Sequence, residues 1–288
     1  MKQIEQKKIN QIKLIVCDLD GTLLNHHKQI SFNTVNYLIK LQQKHYTLVL
    51  ATGRFYYELE PYIKQLKMHE YGGYVICCNG LSVYELASNK IHEFSYLETN
   101  DLNQLIALRQ KFKVNLRANY QNQYQHLVNS WIYPFTPLIK LIFKRYYDLV
   151  FYHDFKQSNW QRLGKLCFLA FPKKLDQIET EINHRFKNQY HLYRTGSMCI
   201  ELVKNDVSKD NAVKYVCQQL NLSLAQVLAF GDGGNDEKLL KQAQIGITMK
   251  NALPQTLAKA RYVSLKTNDQ EGVLDCLQRL FPLDNQEM

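Results

Sequence analysis

No apolar stretch of this 288-residue chain is long enough to cross a bilayer. The richest, Trp131 to Phe155, is broken by Lys140, Lys144, Arg145 and Asp148, whereas a spanning helix needs about 20 mostly apolar residues. Met1 to Asn10 is rich in lysine and glutamine and leads into too short an apolar run for a signal peptide. No cysteine pair has zinc-site spacing. The seven cysteines are odd in number, and Cys17, Cys77, Cys78, Cys167 and Cys199 lie inside apolar runs. Cysteine used as a small hydrophobe points to a reducing, cytoplasmic setting. Of nine histidines only His26-His27 are close together, so histidine-based metal binding is not expected. Repeats and low-complexity segments are missing as well. Nor is there a dense basic run, although the net charge is +10 and Ile91 to Arg194 carries 15 basic against 8 acidic residues. An excess this diffuse reads as a solvated surface that would steer anionic small molecules inward, and nucleic acid is not the expected partner.

What the chain does have is a recurring join between a short apolar run and a small polar turn. Leu14 to Cys17 reads as a buried strand, and Asp18-Leu19-Asp20-Gly21-Thr22 follows it at once. Alternation along extended chain sends the Asp18 and Asp20 side chains the same way. Two acids facing one small volume need a neutralising cation, and a hard divalent ion such as magnesium suits them; alone, they read equally well as turn and cap residues. The same join recurs where Tyr46 to Ala51 meets Thr52-Gly53-Arg54, and where Val227 to Gly231 meets Asp232-Gly233-Gly234-Asn235-Asp236. Ser208-Lys209 opens a helix bearing Ala212, Val213, Val216 and Leu220. In a doubly wound parallel sheet these ends meet on one rim, where ligands bind. Carboxylates there hold a metal, while a lysine, a hydroxyl and backbone amides hold phosphoryl oxygens.

Between residues 91 and 194 the rhythm changes. Strands and helices mix without regular alternation, and the aromatic-rich stretch from Tyr120 to Phe155 shows no resolvable pattern. The expectation is an α/β, Rossmann-like core formed by residues 1–90 and 195–288, with an inserted α+β domain over residues 91–194. Met198 to Val203 and Val227 to Gly231 are both expected in the core sheet.

The four ordered segments, Asp18 to Leu24, Ala51 to Arg54, Val207-Ser208-Lys209 and Gly231 to Asp236, resemble the motifs of the haloacid dehalogenase superfamily. Gly246 to Ala252 and Asn268 to Val273 fit the pattern too. Within that superfamily the chain is similar to the Cof-type phosphatases with a C2B-type cap. The resemblance implies a Mg2+-dependent phosphomonoesterase. Asp18 would be the nucleophile that becomes an aspartyl phosphate, and Asp20 the acid and base. Magnesium would be held by Asp18, the Asp20 backbone carbonyl and Asp232. The Leu19 amide, Thr52, Gly53, Lys209 and Asn235 would hold phosphate, and Asp236 would orient Lys209 or a metal-bound water. Substrates would be small phosphorylated metabolites, such as sugar phosphates, nucleotides or cofactor phosphates. The leaving group would be read in the inserted domain, with Arg117, Asn119, Tyr120, Tyr124, Trp131, Tyr133, Lys165 and Arg194 as candidates. A phosphomutase and a non-catalytic phospholigand or nucleic-acid binder are the alternatives. The chain departs from the pattern at Asp210, where glycine is usual, and that acid could compete with phosphate for Lys209.

Overall fold

Apolar runs too short for helices and bounded by small polar residues form the strands of this protein. The computed structural model describes residues 4–283 apart from 121–122, 144–148, 159 and 196. It divides into a first unit, Met1–Phe94 with Ser208–Met288, and a second, Ser95–Val207.

The first unit is built on an eight-stranded sheet. Its order is Tyr262–Val263, Ile245–Thr248, Val227–Gly231, Leu14–Cys17, Thr47–Ala51, Tyr74–Cys77, Ser82–Glu85 and Lys90–Glu93. Pairing is parallel through the first six strands and antiparallel over the last two. Leu14 pairs with both Val227 and Thr47, and Cys17 with both Phe230 and Leu50. The three central strands therefore end level with one another. The chain builds outward from Leu14–Cys17 in one direction first and in the other later, which puts a switch point at the carboxyl end of that strand.

Strand Leu14–Cys17 is buried along its whole length, as expected when both faces of a parallel sheet are covered. Leu14, Val16, Val49, Val227 and Ala229 pack on one face against Ala212, Val213 and Val216 of helix Lys209–Gln219, and against Leu239 and Leu240 of helix Glu237–Gln242. Helices Phe32–Gln43 and Gly272–Leu280 pack together, the former also on strand Thr47–Ala51. The first of these starts where its sequence says: the Ser31 hydroxyl accepts a hydrogen bond from the Thr34 amide at 3.2 Å. Each fully buried aliphatic side chain in such a core contributes about 1.5–3 kcal/mol.

The second unit holds a six-stranded sheet, ordered Tyr190–Arg194, Cys199–Lys204, Leu166–Leu169, Asn115–Tyr120, Gln123–Leu127 and Leu149–Tyr152. All its pairs are antiparallel except the last. Helices Thr99–Phe112 and Pro172–Arg185 cover one face, where Leu102, Leu105, Leu175 and Ile178 meet Leu116, Phe168, Ile200 and Leu202. Among the described residues, no helix is long and apolar enough to cross a membrane.

The architecture is the expected α/β one, but two strands change sides. Lys90–Glu93 pairs with Ser82–Glu85 in the first unit, and Cys199–Lys204 pairs inside the second unit's sheet. The expected boundaries at 90/91 and 194/195 accordingly lie at 94/95 and 207/208. The reason is physical: Cys199–Lys204 is buried on both faces, so its apolar run looks like that of a central parallel strand.

Candidate active site

Asp18 lies one residue beyond strand Leu14–Cys17, and its amide still donates to the Phe230 carbonyl at 3.0 Å. The ladder thus extends to the nucleophile candidate and fixes its backbone. Lys209 is the first residue of its helix, behind a Ser208 cap whose hydroxyl accepts from the Asn211 amide at 3.3 Å. Its ammonium is completely buried and donates to Asp18 Oδ1 at 2.5 Å and to Asp236 Oδ1 at 2.6 Å. The other oxygen of Asp236 accepts from the Asp232 and Gly233 amides, at 3.1 and 3.0 Å. Asp236 therefore holds the lysine and the loop after strand Val227–Gly231 at once. Asp232 Oδ1 accepts from the Thr22 hydroxyl at 2.9 Å, which ties that loop to the turn after the first strand. Gly21 is required there, because its φ is +82° and a Cβ would fall 2.4 Å from Asp232 Oδ2.

One oxygen from each of Asp18, Asp232 and Asp236 lies within 4.8 Å of the others. Burial raises the Asp18 carboxyl well above its ordinary range; Lys209 opposes the rise, and Asp236 and Asp232 add to it. Burial raises Asp232 too, again with Asp236 adding. Burial alone would depress Lys209, but the two carboxylates hold its pKa above the usual value. Three carboxylates facing one ammonium leave two negative charges uncompensated. Hard oxygen donors with that deficit fit a magnesium ion. Asp18 and Asp232 would hold it, since Asp236 already serves Lys209 and two amides.

Asp20 points elsewhere. Arg54 grips its carboxylate with two bonds, Nε to Oδ2 and Nη2 to Oδ1, each 2.7 Å, and Lys28 donates to Oδ1 at 2.7 Å. Burial acts to raise this carboxyl, but the bonds from Arg54 and Lys28 outweigh it and bring it down to about 2. The carboxylate that the motif resemblance makes the acid and base is thus held by two cations in the first unit.

Thr52 is buried after strand Thr47–Ala51, and its hydroxyl accepts from the Arg54 amide at 3.2 Å. Asn235 donates from Nδ2 to Asn79 Oδ1 at 2.8 Å. The Asn79 amide donates to the Thr52 carbonyl at 2.9 Å, and a Cβ on Gly53 would touch Asn79 Oδ1 at 3.1 Å. Asn79 thus joins Thr52, Gly53 and Asn235, although along the chain Asn79-Gly80 reads only as a turn. A buried amide in an Asn-Gly turn was the available signal. Arg54 and Lys28 were missed for a different reason: nothing along the chain says which acid an arginine will choose. Leu19 has its side chain in the core, and its carbonyl accepts from the Thr22 and Leu24 amides. Asp210 does not turn to Lys209: its carboxylate pairs with Lys214 at 3.1 Å and Lys238 at 3.3 Å.

In the second unit, Arg117 and Lys165 line one cavity. Arg194 pairs instead with Asp176 and Glu179, and Trp131 and Tyr133 are exposed. The side chains of Asn119, Tyr120 and Tyr124 lie outside the described ones.

A family model described as haloacid dehalogenase-like hydrolase matches residues 15–277. A Buchnera aphidicola protein bearing a provisional phosphatase name is 30% identical over 279 residues, covering 96% of this chain and 99% of its own. The HMP-PP phosphatase of Citrobacter koseri is 26% identical over 260 residues, with 88% of this chain and 89% of the relative covered. Among solved structures, a haloacid dehalogenase-like hydrolase from Bacteroides thetaiotaomicron superposes with a TM-score of 0.76 at 27% identity, covering 94% of this chain and 100% of its own.

Proposed function

The chain belongs to the haloacid dehalogenase-like hydrolases and is a phosphoric monoester hydrolase, and from that premise we propose that it cleaves small phosphorylated metabolites through an aspartyl phosphate on Asp18, with magnesium, in the cytoplasm. The observation that carries this reading is the buried Lys209 ammonium shared between Asp18 and Asp236. A structural core has little use for two carboxylates and an ammonium, since apolar side chains would serve it at least as well. A phosphoryl group needs them.

Each residue then has a task. The Asp18 oxygen attacks phosphorus as the ester oxygen leaves, and Asp20 gives that oxygen its proton. In the second half, water attacks phosphorus, passes a proton to Asp20 and releases Asp18. Lys209, the Thr52 hydroxyl, the Leu19 and Gly53 amides and the Asn235 amide hold the phosphoryl oxygens, so that binding and orientation do most of the work. A bound magnesium ion supplies charge neutralisation for the incoming phosphoryl group. The Asp20 carboxylate is clamped and ionised beside Arg54 and Lys28. To take up from solvent the proton that it gives the ester oxygen, and later to accept one from the attacking water, it has to leave the guanidinium fork, which makes Arg54 the residue that sets its position.

The test is phosphate release from a panel of phosphorylated metabolites, with magnesium and with a chelator, for the natural chain and for Asp18→Asn. Release is expected only with magnesium and only from the natural chain. Turnover by Asp18→Asn at the natural rate would overturn the assignment.

A further inference from the structure

Two of the seven free cysteines meet in the second unit. The register of its sheet sets Cys167 opposite Glu201 and Leu169 opposite Cys199. Cys167 and Cys199 are therefore diagonal neighbours, and because alternate residues share a face they point the same way. Arg117 stands opposite Cys167 on the next strand. Its Nη2 lies 3.8 Å from Cys167 Sγ and 3.9 Å from Cys199 Sγ, and the Cys167 thiol donates to the Cys199 sulfur. A positive charge at this spot favours the ionised form of a sulfur beside it.

Which sulfur ionises follows from the surroundings. Cys167 is the more deeply buried, and its Sγ lies 4.0 Å from Glu201 Oε1, an acid that opposes a second negative charge. The bond it gives Cys199, with burial added, holds the Cys167 thiol well above its ordinary value. For Cys199 the same bond acts the other way. Together with Thr195 and Arg117 it outweighs burial, and the Cys199 thiol lies below the usual range. Elsewhere burial pushes the thiols of Cys17, Cys77, Cys217 and Cys276 up, which makes them poor nucleophiles.

We propose that Cys167 and Cys199 form a reversible redox pair, in which the Cys199 sulfur reacts with hydroperoxides and Cys167 closes a disulfide. The Cys199 thiolate attacks one peroxide oxygen. An S–O bond forms, the O–O bond breaks, and the departing hydroxide takes up a proton to become water; the sulfur is oxidised to a sulfenic acid as the peroxide is reduced. The Cys167 sulfur then attacks that of Cys199. An S–S bond forms, the S–O bond breaks, and the departing hydroxide takes the Cys167 proton. Two thiols and one peroxide thus become a disulfide and two waters. Cys167 lines a cavity through which a small peroxide reaches the pair. Diagonal neighbours stand about 7–8 Å apart, at the outer limit of disulfide reach, so closure draws the two strands together. Cys199 opens its strand and follows the exposed Met198, where the chain has room to shift. A bond made under strain is readily reduced by thiols, as a reversible mark in a reducing setting requires.

The test treats the full chain with hydrogen peroxide, alkylates the remaining thiols and maps the peptides without reductant. A Cys167–Cys199 cross-link that dithiothreitol reverses is expected, with Cys199 consumed at least about tenfold faster than Cys17, Cys77, Cys217 or Cys276. Cys167→Ala removes the second step, so dimedone, which traps sulfenic acids, should label Cys199 in that variant. Cys199→Ala should abolish both products, with circular dichroism reporting that each variant is folded. A natural chain that keeps all its thiols, loses them at equal rates or cross-links other cysteines would overturn the proposal, and so would dimedone labelling of Cys167→Ala at any other sulfur.

Discussion

Lys209→Met keeps a long unbranched side chain and removes the ammonium that Asp18 and Asp236 share. The two contacts, 2.5 and 2.6 Å with no solvent exposure at the nitrogen's residue, are short, charged and dry. Breaking a buried pair of this kind costs about 3–5 kcal/mol. Part of that loss is limited by Asp236, which keeps its two backbone amide donors. Asp18 has less to fall back on. Burial and its acidic neighbours already raise it, with Lys209 as the opposing charge, so loss of the ammonium raises it further and disfavours the carboxylate form that attacks phosphorus. Removing one charge-stabilising group from an active site typically lowers kcat about 10²–10³-fold, and a nucleophile less readily ionised adds to this. The urea midpoint, followed by far-ultraviolet circular dichroism, is expected to fall, and phosphate release to drop by at least about 10³-fold. A variant that unfolds at the natural midpoint and keeps turnover within about tenfold would show that the ammonium neither balances the carboxylates nor holds the phosphoryl group.

Asp20→Asn removes the proton carrier and turns one acceptor of Arg54 into a donor, so both half-reactions should slow, by about 10²–10⁴-fold in turnover. Acid-quenched protein should then show a phosphorylated mass, and unchanged turnover with no such species would refute the role. Gly80→Ala places a Cβ 2.3 Å from the Ser208 carbonyl oxygen at a φ of +105°. It pushes on the start of the Lys209 helix, and a loss of at least about 2 kcal/mol is expected in urea. An unshifted midpoint would refute the close approach. In the second unit, Asp101 accepts from Tyr190 Oη at 2.7 Å, Lys204 Nζ at 2.9 Å and the Glu98 amide at 2.9 Å. Burial acts to raise its carboxyl, but these bonds outweigh it and leave it depressed. A depressed carboxyl stabilises the fold above its unfolded value of about 4, and that contribution is lost as pH falls through the folded value. Asp101→Asn should therefore cost about 1–3 kcal/mol at neutral pH and remove part of the acid-induced loss. An unchanged acid limb in the variant would contradict it.

The site was legible along the chain to the extent that each of its parts is local. Asp18, Thr52, Lys209 and Asp232 each stand at a strand end or a helix start, and level registers such as Cys17 with Phe230 and Leu50 bring those ends together. What was not legible is pairing between groups far apart in sequence. Arg54 stands in a motif, yet its hold on Asp20 depends on the turn geometry of both segments. Asn79 looked fully explained by its Asn-Gly turn, and its bond to Asn235 crosses from one part of the first unit to the other. Cys199–Lys204 went to the wrong sheet because a buried strand between two antiparallel neighbours has the same apolar run as a parallel one. The one discordant residue in that run was Glu201. Its carboxylate, which accepts from Lys165 Nζ at 3.1 Å, was the sign that one face of the strand looks into a cavity. A charge that breaks an otherwise apolar strand is therefore better read as a pointer to a site than as noise in the hydrophobic pattern.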